Sequence, residues 1–229
     1  MLNRRQTFLR GFHKTLPFQT GVLPFGLLYA TLAVNAGFPD WLVLLFSMIV
    51  FAGSSQLVFV DLVCHIGSPI QAVLGSNFIN MRHLIYSAGV SPKFAGFSRL
   101  WKIVLSYLLT DQLYAFSESF KDDSIPQHLQ PWYYLGSGLT TWIFWMLSTA
   151  AGVYFGQLVP KSWNLDFAIP LMFMPLLFKV CKNKFAYYTA VFSILFIILF
   201  QKVPFGLGIF ASIICASLSG YYLEKRFLQ

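Results

Sequence analysis

The sequence predicts an all-α, polytopic integral membrane protein with seven or eight transmembrane segments, some of them discontinuous. Three observations carry this. The chain is 57% hydrophobic and only 10% charged, where a soluble domain carries about 25% charged residues. Its mean hydropathy is +0.64. Its apolar stretches recur at lengths approaching the roughly 20 residues a spanning helix needs. A single transmembrane domain over 1–229 accounts for the length, with 1–15 as a basic cytoplasmic N-terminus carrying Arg4, Arg5, Arg10 and Lys14.

The predicted segments are 16–36, 41–64, 69–90, 101–118, 132–158, 165–180, 184–200 and 203–223. The first is interrupted by Pro17, Gly21, Pro24 and Gly26, the second by Gly53-Ser54-Ser55-Gln56 at its middle, and the sixth by Pro170 and Pro175. Broken segments of this kind line midplane sites in transporters, although proline kinks and small-residue packing are common in membranes. The fifth carries Trp132-Tyr133-Tyr134, Trp142 and Trp145, read as an interfacial belt plus core. Pro24-Phe25-Gly26-Leu27 recurs as Pro204-Phe205-Gly206-Leu207, a possible trace of an inverted repeat. If 41–64 is re-entrant, the spans number seven rather than eight.

The net charge of +8 is dispersed over short loops and termini, which suits topology and lipid contact rather than nucleic acid. With eight spans, the Lys/Arg bias favours both termini inside, against the 91–102 loop. Cys64, Cys181 and Cys215 are isolated and no CxxC occurs, so free thiols are expected and no metal site. No cofactor is expected, and no G-x-S-x-G, H-E-x-x-H, Walker A or G-x-G-x-x-G is present, which argues against an enzyme.

The third segment holds an arginine in apolar surroundings. Insertion scales put Arg at roughly 2.5–3.5 kcal/mol at a helix centre, tolerated only beside a partner or a wet cavity. Arg82 lies about nine residues before Ser91, roughly 13 Å inside the nearer edge at the α-helical rise, and helical side chains lean toward the N-terminus. Snorkelling toward Ser91 is disfavoured. On a continuous helix, Ser76, Asn80, Arg82, His83, Tyr86 and Ser87 share one arc bordered by Asn77. Such a stripe lines a cavity or ties helices together.

In the fourth segment, Ser106, Tyr107, Thr110, Asp111, Tyr114, Ser117 and Glu118 share an arc. Asp111 is positioned to neutralise Arg82, bind a substrate ammonium or carry a proton. Unwound backbone at Gly53 would offer contacts to a zwitterion, with Ser54, Ser55 and Gln56 beside it. Asp61 is either a boundary acid or a site residue, and His83 either a hydrogen-bonder or a proton carrier.

These residues resemble those of the AzlC family, the large subunit of bacterial branched-chain amino acid exporters. The resemblance runs through Leu16-Pro17, Pro24-Phe25-Gly26, Phe51-Ala52-Gly53-Ser54-Ser55-Gln56, Asn80-Met81-Arg82-His83-Leu84-Ile85-Tyr86-Ser87, Leu109-Thr110-Asp111-Gln112 and Asp166-Phe167-Ala168. It implies export of leucine, isoleucine and valine, with methionine as a further candidate, across the bacterial inner membrane, driven by an ion gradient, with a small AzlD-type membrane partner. The sequence departs from the family pattern at Gln112, where an acid is expected, and at Asp61, where a small or apolar residue is usual. The expected substrate-binding set is Gly53, Ser54, Ser55, Gln56, Asn77, Asn80, Arg82 and Tyr86. The expected coupling or gating set is Asp111, His83, Arg82 and Asp61. A channel or a non-transporting assembly subunit is the alternative.

Overall fold

The computed structural model describes residues 2–66, 69–119, 124–158, 181, 184–203 and 207–228. Among them every regular element is helical. The 165–180 segment, Asp166-Phe167-Ala168 and the second copy of the Pro-Phe-Gly motif lie outside the described residues. The chain forms two compact units, Met1–Ala168 and Ile169–Gln229.

In the first unit the helices are α1 (Arg4–Thr15), α2 (Gln19–Asn35), α3 (Asp40–Val50), α4 (Gly53–Ile66), α5 (Pro69–Asn80), α6 (Arg82–Phe94), α7 (Arg99–Tyr107), α8 (Asp111–Ser119) and α9 (Gln130–Phe155). The second unit holds α10 (Lys184–Phe200) and α11 (Leu207–Leu228), which pack on each other. There a Cβ on Gly220 would run into Thr189.

The basic N-terminus is an element in its own right. Asn3 and Gln6 form a reciprocal capping box, and α1 runs through a 3-10 turn at Leu16–Phe18 into α2. Pro17 sits in that turn, where its missing N–H costs nothing. Pro24 does not interrupt the first segment as expected: α2 continues through it. Arg4–Asn35 is, among the described residues, the one helical stretch long and apolar enough to cross a bilayer by itself.

The long helix α9 organises the first unit. Its buried residues Tyr133, Ser137, Thr141, Ser148 and Gly152 recur at helical spacing. Small residues let the backbones close up. A Cβ on Gly136 would strike the Phe8 carbonyl, and one on Gly11 the Tyr133 carbonyl. Thr15 donates to Ser137 Oγ at 2.8 Å. Exposed Trp41, Ile49, Leu74, Leu84, Leu100 and Leu147 give the outside an apolar surface suited to lipid.

Three expected spans are split: 41–64, expected to be interrupted, and 69–90 and 101–118, expected to be continuous. The 41–64 segment breaks at Phe51-Ala52, where Phe51 takes a left-handed φ of 43°. The break thus precedes Gly53, which opens α4 rather than being unwound. The 69–90 segment breaks at Met81, where an i→i+3 bond from Leu84 N–H to Met81 O replaces the regular ladder. The 101–118 segment breaks over Leu108–Thr110, and Leu113 N–H donates to Thr110 Oγ1 at 3.4 Å as an N-cap.

Candidate functional site

The three breaks meet at one cavity. Its lining includes Phe51, Ala52, Gly53 and Ser54 from the first break, Arg82 and His83 from the second, and Thr110, Asp111 and Gln112 from the third. Val22 and Phe25 of α2, with Thr141 and Trp145 of α9, close the apolar side. The cavity measures about 30 Å³ of space open to the centre of a water molecule. That holds a few waters, at about 10–15 Å³ each.

Gly53, Arg82 and Asp111 are each the first residue of a helix. The N–H groups of a first helical turn have no intrahelical partner, and the end carries partial positive charge. Three such ends therefore favour negative charge in the cavity. Asp111 satisfies part of that preference. Arg82 sits at a like-signed helix end, and Asp111 holds it: Arg82 Nη1 lies 3.1 Å from Asp111 Oδ2, with the side chains 24% and 14% exposed. The Tyr86 phenol also faces Asp111 and stacks on Tyr114 at 4.8 Å.

The pair is incompletely satisfied. Arg82 Nε and Asp111 Oδ1 are buried without a hydrogen-bond partner among the described residues, as are Ser54 Oγ, Asn80 Oδ1 and Trp145 Nε1. Such atoms are rare in interiors and mark strain or a ligand position. Trp145 is only 5% exposed, and its ring meets Phe25 edge-on at 5.9 Å and stacks on Tyr29.

Of the expected binding residues, Gly53, Ser54 and Arg82 line the cavity, with His83 and Asp111 from the coupling set. His83 Nδ1 is 3.0 Å from the Asn80 carbonyl, across the Met81 break. Ser55 and Gln56 are fully buried but turn away. Ser55 donates to Ala52 O at 2.9 Å, and Gln56 Nε2 donates to Ser47 Oγ at 3.1 Å. Ser47 in turn meets Thr149 at 3.2 Å, so Gln56 belongs to a network joining α3, α4 and α9. Asn77 and Asp61 are exposed and off the cavity lining. The kink at Met81 also splits the expected stripe, leaving Ser76 buried and Ser87 exposed.

The expected site sets left out Phe51, Thr110, Val22, Phe25 and Trp145, all of which line the cavity. Thr110 had a readable signal, a threonine before an acid and three residues ahead of Leu113. The aromatic wall had none, because aromatic residues make up 18% of the chain.

Helices broken around a partly buried ion pair are a feature shared with membrane transport sites. The AzlC protein family model matches residues 17–159, and the chain belongs to that family. It is 24% identical to the branched-chain amino acid transport protein AzlC of Bacillus subtilis over 80% of this chain and 71% of that protein. It is 26% identical to a membrane protein of Archaeoglobus fulgidus over 80% of both. With the inner membrane protein YgaZ of Escherichia coli the identity is 23%, over 78% of this chain and 75% of that one. No solved structure matches. A membrane location and a transport family follow; the matched span includes every cavity residue.

Proposed function

We propose that the chain is the large subunit of a secondary transporter that exports branched-chain amino acids, with seven or eight crossings of the inner membrane and a cytoplasmic N-terminus. One observation carries this reading. The first turns of α4, α6 and α8 and the Arg82–Asp111 pair line one cavity together with Phe25, Phe51 and Trp145. The charged side suits an amino acid's main-chain groups, and the aromatic side suits a branched aliphatic side chain. The named transport function of the Bacillus subtilis relative supports the same substrate class.

Transport proceeds by alternating access around this fixed site. An ion gradient drives export, and a small AzlD-type subunit completes the transporter. Liposomes holding the chain, with and without that partner, should move labelled leucine or valine under an imposed pH gradient. Absence of gradient-dependent flux in both preparations defeats the reading. Flux without saturable counterflow favours a channel instead.

A further inference from the structure

We propose that the Arg82–Asp111 ion pair is a latch opened by an α-amino-acid zwitterion, whose carboxylate takes Arg82 and whose ammonium takes Asp111. This rests on the transport reading above and deepens it: the site demands both charges of its substrate at once.

The pair meets through one contact, Nη1 to Oδ2, rather than a bidentate fork. A further polar atom on each partner, Nε of Arg82 and Oδ1 of Asp111, is buried and has no hydrogen-bond partner among the described residues. Two further unpartnered atoms belong to cavity-lining side chains: the Trp145 Nε1 donor, on a residue nine-tenths buried, and Ser54 Oγ. The unmatched donors, Arg82 Nε and Trp145 Nε1, answer the two oxygens of a carboxylate. The unmatched acceptors, Asp111 Oδ1 and Ser54 Oγ, answer an ammonium. The helix ends at Gly53, Arg82 and Asp111 favour the carboxylate further.

Charge balance decides the selectivity. A zwitterion brings one charge of each sign, so opening the pair leaves neither Arg82 nor Asp111 unpaired. A carboxylate alone takes Arg82 and strands Asp111; an amine alone takes Asp111 and strands Arg82. A stranded buried charge is strongly unfavourable, so single-charge analogues fail to open the latch. Sites built around buried polar partners discriminate in this way against ligands lacking one group.

Isothermal titration of the purified full-length chain with leucine, 4-methylpentanoate and 3-methylbutylamine tests this. Leucine should bind, and each single-charge analogue should bind at least about 100-fold more weakly. Asp111→Asn should weaken leucine and relax the rejection of 4-methylpentanoate, because Arg82 then has no competing anion. Arg82→Gln should do the same for 3-methylbutylamine. Leucine binding with an analogue within tenfold, or folded variants that keep the original discrimination, overturns the latch and leaves the transport reading standing. No leucine binding by the unaltered chain, either alone or with its partner subunit, overturns both. If a variant does not fold, the analogue series on the unaltered chain decides alone.

Discussion

Placing a methyl group on Gly53 should close the substrate site while leaving the protein folded. An ideal Cβ at Gly53 would lie 2.6 Å from Trp145 Cη2 and 2.8 Å from Phe25 Cε1. Carbon atoms pack at about 3.5–4.0 Å, so both rings must retreat by about 1 Å. They are 5% and 6% exposed, and Trp145 is backed by Tyr29. The free space is the cavity itself, about 30 Å³, so the rings move into the position the substrate side chain needs. Overpacking of this kind costs about 1–3 kcal/mol, equivalent to about 5- to 150-fold in affinity. Gly→Ala in a helix gains up to about 1 kcal/mol, which offsets part of the strain in global stability. Gly53→Ala should therefore lower leucine affinity by up to about 150-fold with a net loss of stability of at most about 2 kcal/mol. Titration of leucine beside a thermal unfolding curve checks both halves. Unchanged leucine affinity in a folded variant refutes the assignment of this cavity as the substrate site.

Gly136→Ala should destabilise the fold by about 1–3 kcal/mol, because its Cβ meets the Phe8 carbonyl and not a movable side-chain end; thermal unfolding of the purified chain reads this. Gln56→Ala should cost about 1–3 kcal/mol by stranding a buried polar neighbour, and should move leucine affinity less than Gly53→Ala does. Lys93 donates to the Ser117 carbonyl at 2.9 Å as well as pairing with Glu118. Glu118 is half exposed, so Glu118→Gln should shift stability by at most about 1 kcal/mol, while Lys93→Met costs more. Equal effects in chemical denaturation would count against the carbonyl contact.

The site was legible in outline because a bilayer makes certain residues conspicuous. Arg82 and Asp111 stand out in apolar runs, each needs an opposite charge, and the structure pairs them. Gly53 and Ser54 marked a break. The stripes were less reliable, because they assume an unbroken turn of about 100° per residue. Met81 and Leu108–Thr110 interrupt that phase, so Ser87, on the predicted arc, and Asn77, at its border, fall on the outside. Gln56 was misplaced for a related reason. With the break at Phe51, Gln56 lies one turn inside α4, facing Ser47 rather than the cavity.

The sequence alone determined the helical class, the apolar surface and the pair of buried charges, since each follows from composition and the cost of an unpaired ion in lipid. Tertiary structure decided where the helices break and which ends converge. Phe51 carries a bulky side chain, and nothing local favours its left-handed backbone; that conformation persists because the surrounding packing over-determines it. It is this placement that sets three helix N-termini around Arg82 and Asp111. The same packing brings Phe25 and Trp145, separated by long stretches of chain, over Gly53. A local pattern holds no record of such a meeting, because it depends on the close approach of α2 and α9 along their small residues.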